Sequence, residues 1–323
     1  MREDGTIGVH GAGSSSSLSN GRGSDCRGHA RRRAKAHDDI EVQTRPRTRI
    51  AWLGIVSLMV CFAAGCSTMD PVEHADTLAQ AGGLQRERIV TPTFVLTAYS
   101  KISSPREPIH LYIEGDGLAW ISRTQPSLDP TPHQATGLQL AAIDPAPNVV
   151  YLARPCQFTP MAVNPTCGIP YWTGKRYAPE VVASMNDAIS QIAARAQGQQ
   201  IELIGYSGGG ALAVLVAAGR TDIGSIRTVA GNLDDAYVNQ LHNVSEMPES
   251  ENPIDFAKRV ASIPQIHFSG ADDHVVPSAV AERFVDETGP RCAQTRVVPG
   301  MTHDGDWRAV WPDLLRVAPA CGR

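Results

Sequence analysis

The chain has 323 residues, 29 Lys+Arg against 33 Asp+Glu, and 42% hydrophobic residues, enough for one large α/β domain or two small ones. Charge is unevenly spread: residues 1–65 carry 10 Lys+Arg against 6 Asp+Glu, and the chain from Cys66 onward carries 19 against 27. A main body near minus eight offers no electrostatic footprint for nucleic acid.

Residues 1–45, with SSSSLSNGRGSDCRG and ARRRAKA, are Gly/Ser-rich and basic, have little to bury, and are expected to be disordered. The Arg run reads as a cytoplasmic leader or a start site assigned too early, with a nucleic-acid tail as the alternative. Arg45, Arg47 and Arg49 then precede an apolar run, Ile50 to Ala64, that ends in Ala63-Ala64-Gly65-Cys66. A positive stretch, a short apolar stretch and small residues before a cut make a secretory signal, and the run falls short of the ~20 apolar residues of a membrane span. The small-small-Gly-Cys ending resembles the lipobox of bacterial lipoproteins, which implies cleavage before Cys66 and lipidation there. Ser67, rather than Asp, then implies sorting to the outer membrane, facing the periplasm. The competing reading is a buried apolar helix with a chance Cys. These features divide the chain into a leader and signal over 1–65, a lipidated Cys and polar tether over 66–86, and one folded domain over 87–323.

Of seven cysteines, Cys26 and Cys61 fall in the leader and Cys66 in the anchor. The remaining Cys156, Cys167, Cys292 and Cys321 are an even number in an exported domain, which points to disulfides. Closeness in sequence favours Cys156 with Cys167 and Cys292 with Cys321, although four cysteines allow three pairings. A zinc site is the rival, but no CxxC or CxH spacing supports it.

The folded part opens with Arg88 to Ala98, β-branched and aromatic, which reads as a strand or hairpin. His110 to Ile113 is a short buried strand running into the turn Glu114-Gly115-Asp116-Gly117, and Asn148 to Ala153 is a continuous apolar strand suited to cover on both faces. A Pro-rich loop from Arg154 to Tyr177 follows. It either overhangs the site and touches substrate through Trp172 and Arg176, or is a disulfide-pinned loop that packs Trp172 onto the sheet. Apolar residues at Val181, Val182, Met185, Ile189 and Ile192 make a helical stripe over Glu180 to Ala196, with Pro179 suited to the first turn.

Ile201 to Gly219, IELIGYSGGGALAVLVAAG, reads as a strand, a tight turn and an Ala-rich helix. Ser207 stands in that turn with Gly205 and Gly209 two positions to either side, where a Cβ would collide with neighbouring backbone. No Lys follows the glycines as a phosphate-binding loop would require; a plain Gly-rich turn remains the bland reading. Ile223 to Gly231 is the next strand, and residues 232–262 leave room for a short helical flap. Pro264 to Ser269 is a strand leading into Gly270-Ala271-Asp272-Asp273-His274-Val275-Val276-Pro277. Thr295 to Pro299 is the last strand, followed by Met301-Thr302-His303 and a helix near Trp307 to Leu315.

The GxSxG turn between a strand and a helix, the GxxDxxVP turn and the late His together resemble the α/β-hydrolase superfamily, over about 235 residues by the joint match. The resemblance implies a mostly parallel, twisted sheet with helices on both faces and a short cap region at most. It implies Ser207 as nucleophile, His303 as general base and Asp273 as the acid that orients it, with Asp272 as close competitor and Asp234 or Asp235 as alternatives. It also implies an oxyanion hole from the amides of Gly208 and Asp116, with Gly117 as fallback. Glu114 stands where the family often has His. A metal loop through Glu114 and Asp116 is the alternative for that turn.

The chemistry needs no cofactor. Hydrolysis of carboxylic esters or related acyl compounds is the leading expectation. A peptidase or amidase, with Glu114 meeting a substrate amine, and a non-catalytic envelope lipoprotein are the alternatives.

Overall fold

The computed structural model describes residues 70–322. The leader, the signal and Cys66 lie outside the described residues.

Eight strands form one sheet in the order β1-β2-β4-β3-β5-β6-β7-β8. The hairpin β1 (Gln85–Val90) and β2 (Val95–Ile102) closes on Thr91, whose amide and hydroxyl both bond the Phe94 carbonyl. β2 pairs antiparallel with both β1 and β4 (Asn148–Leu152). All other pairings are parallel: β3 (Ile109–Ile113) with β4 and β5 (Ile201–Tyr206), then β6 (Ile223–Val229), β7 (Gln265–Gly270) and β8 (Ala293–Val298). Every residue of β4 and of β7 is buried, as expected of strands covered on both faces.

Strand alternation divides the core into two halves. Leu111 and Ile113 face a cluster with α3 (Pro179–Ala193), α4 (Gly208–Ala217) and α6 (Ser278–Thr288), while Tyr112 faces the opposite cluster with α1 (Pro71–Ala81), α2 (Thr136–Ala142) and α7 (Trp307–Leu315). Pro179 starts α3, and the stripe Val181, Met185, Ile189 and Ile192 is buried. All ten residues of α4 are buried; a helix apolar all round belongs inside the domain. On the other face Trp311 gives its indole N–H to the Tyr112 hydroxyl at 3.0 Å, which satisfies a buried donor while the ring adds packing.

One expectation is corrected, and one helix was not anticipated. The polar tether of residues 66–86 is instead, from Pro71, a docked helix: the Asp70 carboxylate caps it by accepting from the Val72 amide at 2.8 Å, and Ala75 and Ala79 are 1% exposed against the domain. Small alanines, not large apolar residues, form its buried stripe, so the sequence shows little periodicity. α2 was not anticipated because it is seven residues long and has no side-chain cap.

Residues 232–262 form the short flap expected, from α5 (Asp235–His242) and a 3-10 segment, Pro253–Val260. Both disulfides join the pairs favoured by closeness in sequence, Cys156–Cys167 and Cys292–Cys321. Among the described residues no helix is long and apolar enough to cross a membrane.

Candidate active site

The turn between β5 and α4 holds Ser207 at φ 51° and ψ −120°, a conformation that costs a non-glycine residue roughly 1–3 kcal/mol. The strain persists because its surroundings over-determine it. A Cβ at Gly205 would run into the Gly209 carbonyl, and a Cβ at Gly209 into the Ile113 and Glu114 carbonyls. The Ser207 amide bonds the Val229 carbonyl at 2.9 Å and its carbonyl accepts from the Asn232 amide at 3.0 Å. The half-buried hydroxyl is thereby lifted clear of the strand ends.

His303 Nε2 lies 3.0 Å from Ser207 Oγ, and His303 Nδ1 lies 2.9 Å from Asp273 Oδ2. Three loops that are distant in sequence meet at one edge of the sheet. Asp273 Oδ1 accepts from the amides of Val275 and Val276 at 2.9 and 2.8 Å, so the loop after β7 fixes the carboxylate with its own backbone. Asp272 is exposed and not part of this chain of contacts. Asp234 caps α5 by accepting from the Tyr237 amide and meets Arg283 at 3.0 Å.

The His303 loop has its own supports, which were not singled out from the sequence. The His303 carbonyl accepts from the Tyr206 hydroxyl at 3.2 Å and from the Trp307 indole N–H at 2.9 Å. The Tyr206 ring lies 5.7 Å from the imidazole, centre to centre. His267, within β7, is fully buried between Thr228 and Gln265, and burial pushes its pKa down to about 3.

On the other side of Ser207, the amides of Gly208 and Asp116 have no hydrogen-bond partner among the described residues. The Asp116 side chain occupies the space beside Gly208 that a Cβ there would need. Its carboxylate is paired with Arg154 through Oδ1 and with Arg176 Nη1 through Oδ2 at 2.8 Å, and it accepts from the Tyr177 hydroxyl at 3.3 Å. Arg154 also bonds the Arg176 carbonyl at 2.7 Å, and both guanidinium groups lie over the Tyr177 ring. Burial pushes the Asp116 carboxyl up, but the Arg176 and Arg154 charges outweigh it and hold the pKa below the usual range. The cluster of one carboxylate and two guanidinium groups has net positive charge.

Of the two readings of the 154–177 loop, substrate contact through Trp172 and Arg176 or a disulfide-pinned loop packing Trp172 onto the sheet, the structure follows the second. Trp172 is 5% exposed, packed in the core with its indole N–H on the Ser127 carbonyl at 3.1 Å: the loop fold that pins it also removes it from solvent. Arg176 is committed to Asp116. Arg154, the start of that loop, was given no role from the sequence, because its partner Asp116 lies on a different turn. Glu114 is buried beneath the turn, where it accepts from the amides of Gly115 and Gly137 at 2.9 and 3.2 Å. Burial raises its pKa against those bonds. Glu114 and Asp116 thus serve different partners and form no common metal loop, and it is Glu114's burial that prevents it meeting a substrate amine.

Among solved structures, the chain is similar to a candidate lipase from Acinetobacter baumannii AYE, at 15% identity over 78% of this chain and 98% of that one, with a TM-score of 0.50. The chain has the α/β-hydrolase fold. It is similar also to an alpha-beta serine hydrolase homologue from Coxiella burnetii (16% identity, 72% of this chain and 93% of that one, TM-score 0.48) and to Est1E from Butyrivibrio proteoclasticus (14%, 72% and 98%, 0.46). No family model and no curated protein matches the chain. Within an α/β-hydrolase fold, Ser207, Asp273 and His303 all follow the carboxyl ends of strands, on the edge where such sheets hold their ligands.

Proposed function

We propose that the protein is a serine hydrolase that cleaves carboxylic esters through an acyl-enzyme. The observation that carries this is the continuous hydrogen-bond chain from Asp273 through His303 to Ser207, at 2.9 and 3.0 Å, ending on a hydroxyl held in a strained turn. With Nδ1–H donated to Asp273, Nε2 accepts the Ser207 proton as Oγ attacks the carbonyl carbon. The tetrahedral oxyanion accepts hydrogen bonds from the Gly208 and Asp116 amides; one such donor contributes about 3 kcal/mol to lowering the barrier. When the carbon–oxygen bond breaks, His303 returns the proton to the leaving alcohol. Water, deprotonated by the same imidazole, then releases the carboxylic acid and restores Ser207.

Arg154 and Arg176 are positioning residues in this scheme. An ionised carboxylate beside the oxyanion hole opposes the charge that develops there, and the two guanidinium groups reverse the sign of the local field.

The reading extends to location. The signal-like run, the lipobox-like Cys66 and two disulfides support an exported protein tethered to the outer membrane through lipid on Cys66. Replacing Cys66 with Ser is expected to release the protein from the membrane fraction or leave its precursor uncleaved; an unchanged lipid-labelled product contradicts the anchor.

Turnover of short p-nitrophenyl esters compared with aminoacyl anilides tests the reaction class. Ester cleavage dominates on this account, and cleavage of the anilides alone contradicts it.

A further inference from the structure

More than half of the buried polar groups left without partners fall on the segment after β6 and the loop before α3, next to the candidate site. Among the described residues, seven buried side-chain atoms have no partner: Glu114 Oε2, Tyr151 Oη and Arg227 Nε, and the four that matter here, Asn232 Oδ1, Asp235 Oδ1, Asn239 Nδ2 and Arg176 Nε. Three of these four lie within eight residues of one another in the segment that leaves β6, and the fourth belongs to the side chain that holds Asp116. Buried unpartnered polar groups cost about 1–3 kcal/mol each, so such a concentration needs a reason.

Asp235 and Asn239 both line a cleft of ≈ 1120 Å³ between α5 and the 243–252 segment. They are 4% and 3% exposed. Asp234, also in the wall, already accepts from the Tyr237 amide, Asn252 Nδ2 and Arg283 Nε at 3.2, 3.1 and 3.0 Å. Its neighbour Asp235 has no such side-chain partners. Burial pushes the Asp235 carboxyl up to about 7, against the pull of Arg176.

The segments on either side of the cleft are hydrogen-bonded to the loops of the candidate site. The Asn232 amide bonds the Ser207 carbonyl, three residues before Asp235. The Ser250 hydroxyl, in the opposite wall, bonds the Gly174 carbonyl at 2.8 Å and accepts from the Tyr177 amide at 3.1 Å, on the loop that carries Arg176. Most of the lining residues are polar or charged. That wall does not suit an acyl chain, whose binding rests on apolar contact. It suits a group that both donates and accepts hydrogen bonds.

We propose that this cleft binds a hydroxyl-bearing part of the substrate, a polyol or sugar carried on the ester, with Asp235 and Asn239 as its hydrogen-bonding residues. The proposal rests on the serine-hydrolase reading and names its substrate class. A hydroxyl donates to the Asp235 carboxylate while a neighbouring hydroxyl oxygen accepts from Asn239 Nδ2. An ester lacking those groups leaves the two side chains unsatisfied, which is how a polar site rejects an apolar analogue.

The test compares glycerol monoacetate with propyl acetate, which share the acetyl group and a three-carbon alcohol and differ in two hydroxyls. In the wild-type protein kcat/KM is expected to favour glycerol monoacetate by about ten- to hundredfold. In Asp235→Ala and in Asn239→Ala that ratio is expected to fall by about tenfold or more, with folding checked by the thermal midpoint. Equal kcat/KM for the two esters in the wild type overturns the proposal whatever the variants do, and leaves the hydrolase reading standing. An unchanged ratio in both folded variants also overturns it. Failure to turn over either ester, together with failure to react with a fluorophosphonate, removes the hydrolase reading and this proposal with it.

Discussion

The Asp116 carboxylate lies against the α-carbon of Gly208, in the space that any side chain at 208 would need. A negative charge therefore sits beside the amide proposed to receive an oxyanion, paired with Arg176 and with Arg154, whose guanidinium also reaches the space beside Gly208. Removing one guanidinium leaves this carboxylate under-compensated in a largely buried place, a loss that commonly costs 3–5 kcal/mol. Arg154→Met is expected to lower kcat on p-nitrophenyl acetate by about ten- to hundredfold with a smaller change in KM. Adding Asp116→Asn to that variant removes the opposing charge and is expected to restore part of kcat. A double variant no faster than Arg154→Met contradicts the electrostatic role and leaves only a packing role.

The disulfides separate by consequence. Cys156 lies two residues after Arg154, and the loop it closes with Cys167 leads to Arg176, whereas Cys292–Cys321 ties β8 to the C-terminal segment. Loss of either bond is expected to lower stability by about 2–4 kcal/mol. Only the Cys156→Ser, Cys167→Ser pair is expected also to lower kcat, because it loosens the loop that places both guanidinium groups. Paired melting curves and steady-state kinetics distinguish the two; equal effects on kcat contradict the coupling.

Asp235 gives a pH signature. Its folded pKa, about 7, is raised above the ordinary aspartate value of 3.8, chiefly by burial. A raised carboxyl favours the folded state fully below its unfolded pKa, and that contribution is lost as pH rises toward and through 7. Asp235→Asn keeps a neutral side chain at all pH values. The variant is therefore expected to match the wild type near pH 4 and to exceed it near pH 8, by about 4 kcal/mol. Denaturant unfolding at the two pH values measures the difference, and a variant less stable at pH 8 than the wild type contradicts the assignment.

Much of this was legible because the chemistry constrains sequence locally. A Ser flanked by glycines between an apolar strand and an apolar helix has few structural meanings, and Gly205 and Gly209 are small because the Gly209 and Ile113 carbonyls come too close for anything else. The loop after β7 specifies Asp273 over Asp272 through the amides of Val275 and Val276, a distinction that spacing alone leaves open. What stayed hidden depends on contacts between distant residues. Arg154, Arg176 and Tyr177 meet Asp116 only after β3, β4 and the disulfide loop are assembled, and no periodicity records that. Sequence left Trp172 open between substrate contact and packing, because the partner that decides it, the Ser127 carbonyl, lies 45 residues away. α1 escaped notice because a helix that buries two alanines needs no conspicuous apolar stripe.

Covalent labelling with a fluorophosphonate, located by mass spectrometry, bears most directly on the central claim that Ser207 is a nucleophile activated by His303 and Asp273. One label per molecule on Ser207 is expected, absent in Ser207→Ala, strongly slowed in His303→Ala and Asp273→Asn, and retained in Asp272→Asn. Labelling that survives Ser207→Ala, or that Asp272→Asn abolishes while Asp273→Asn does not, contradicts the account.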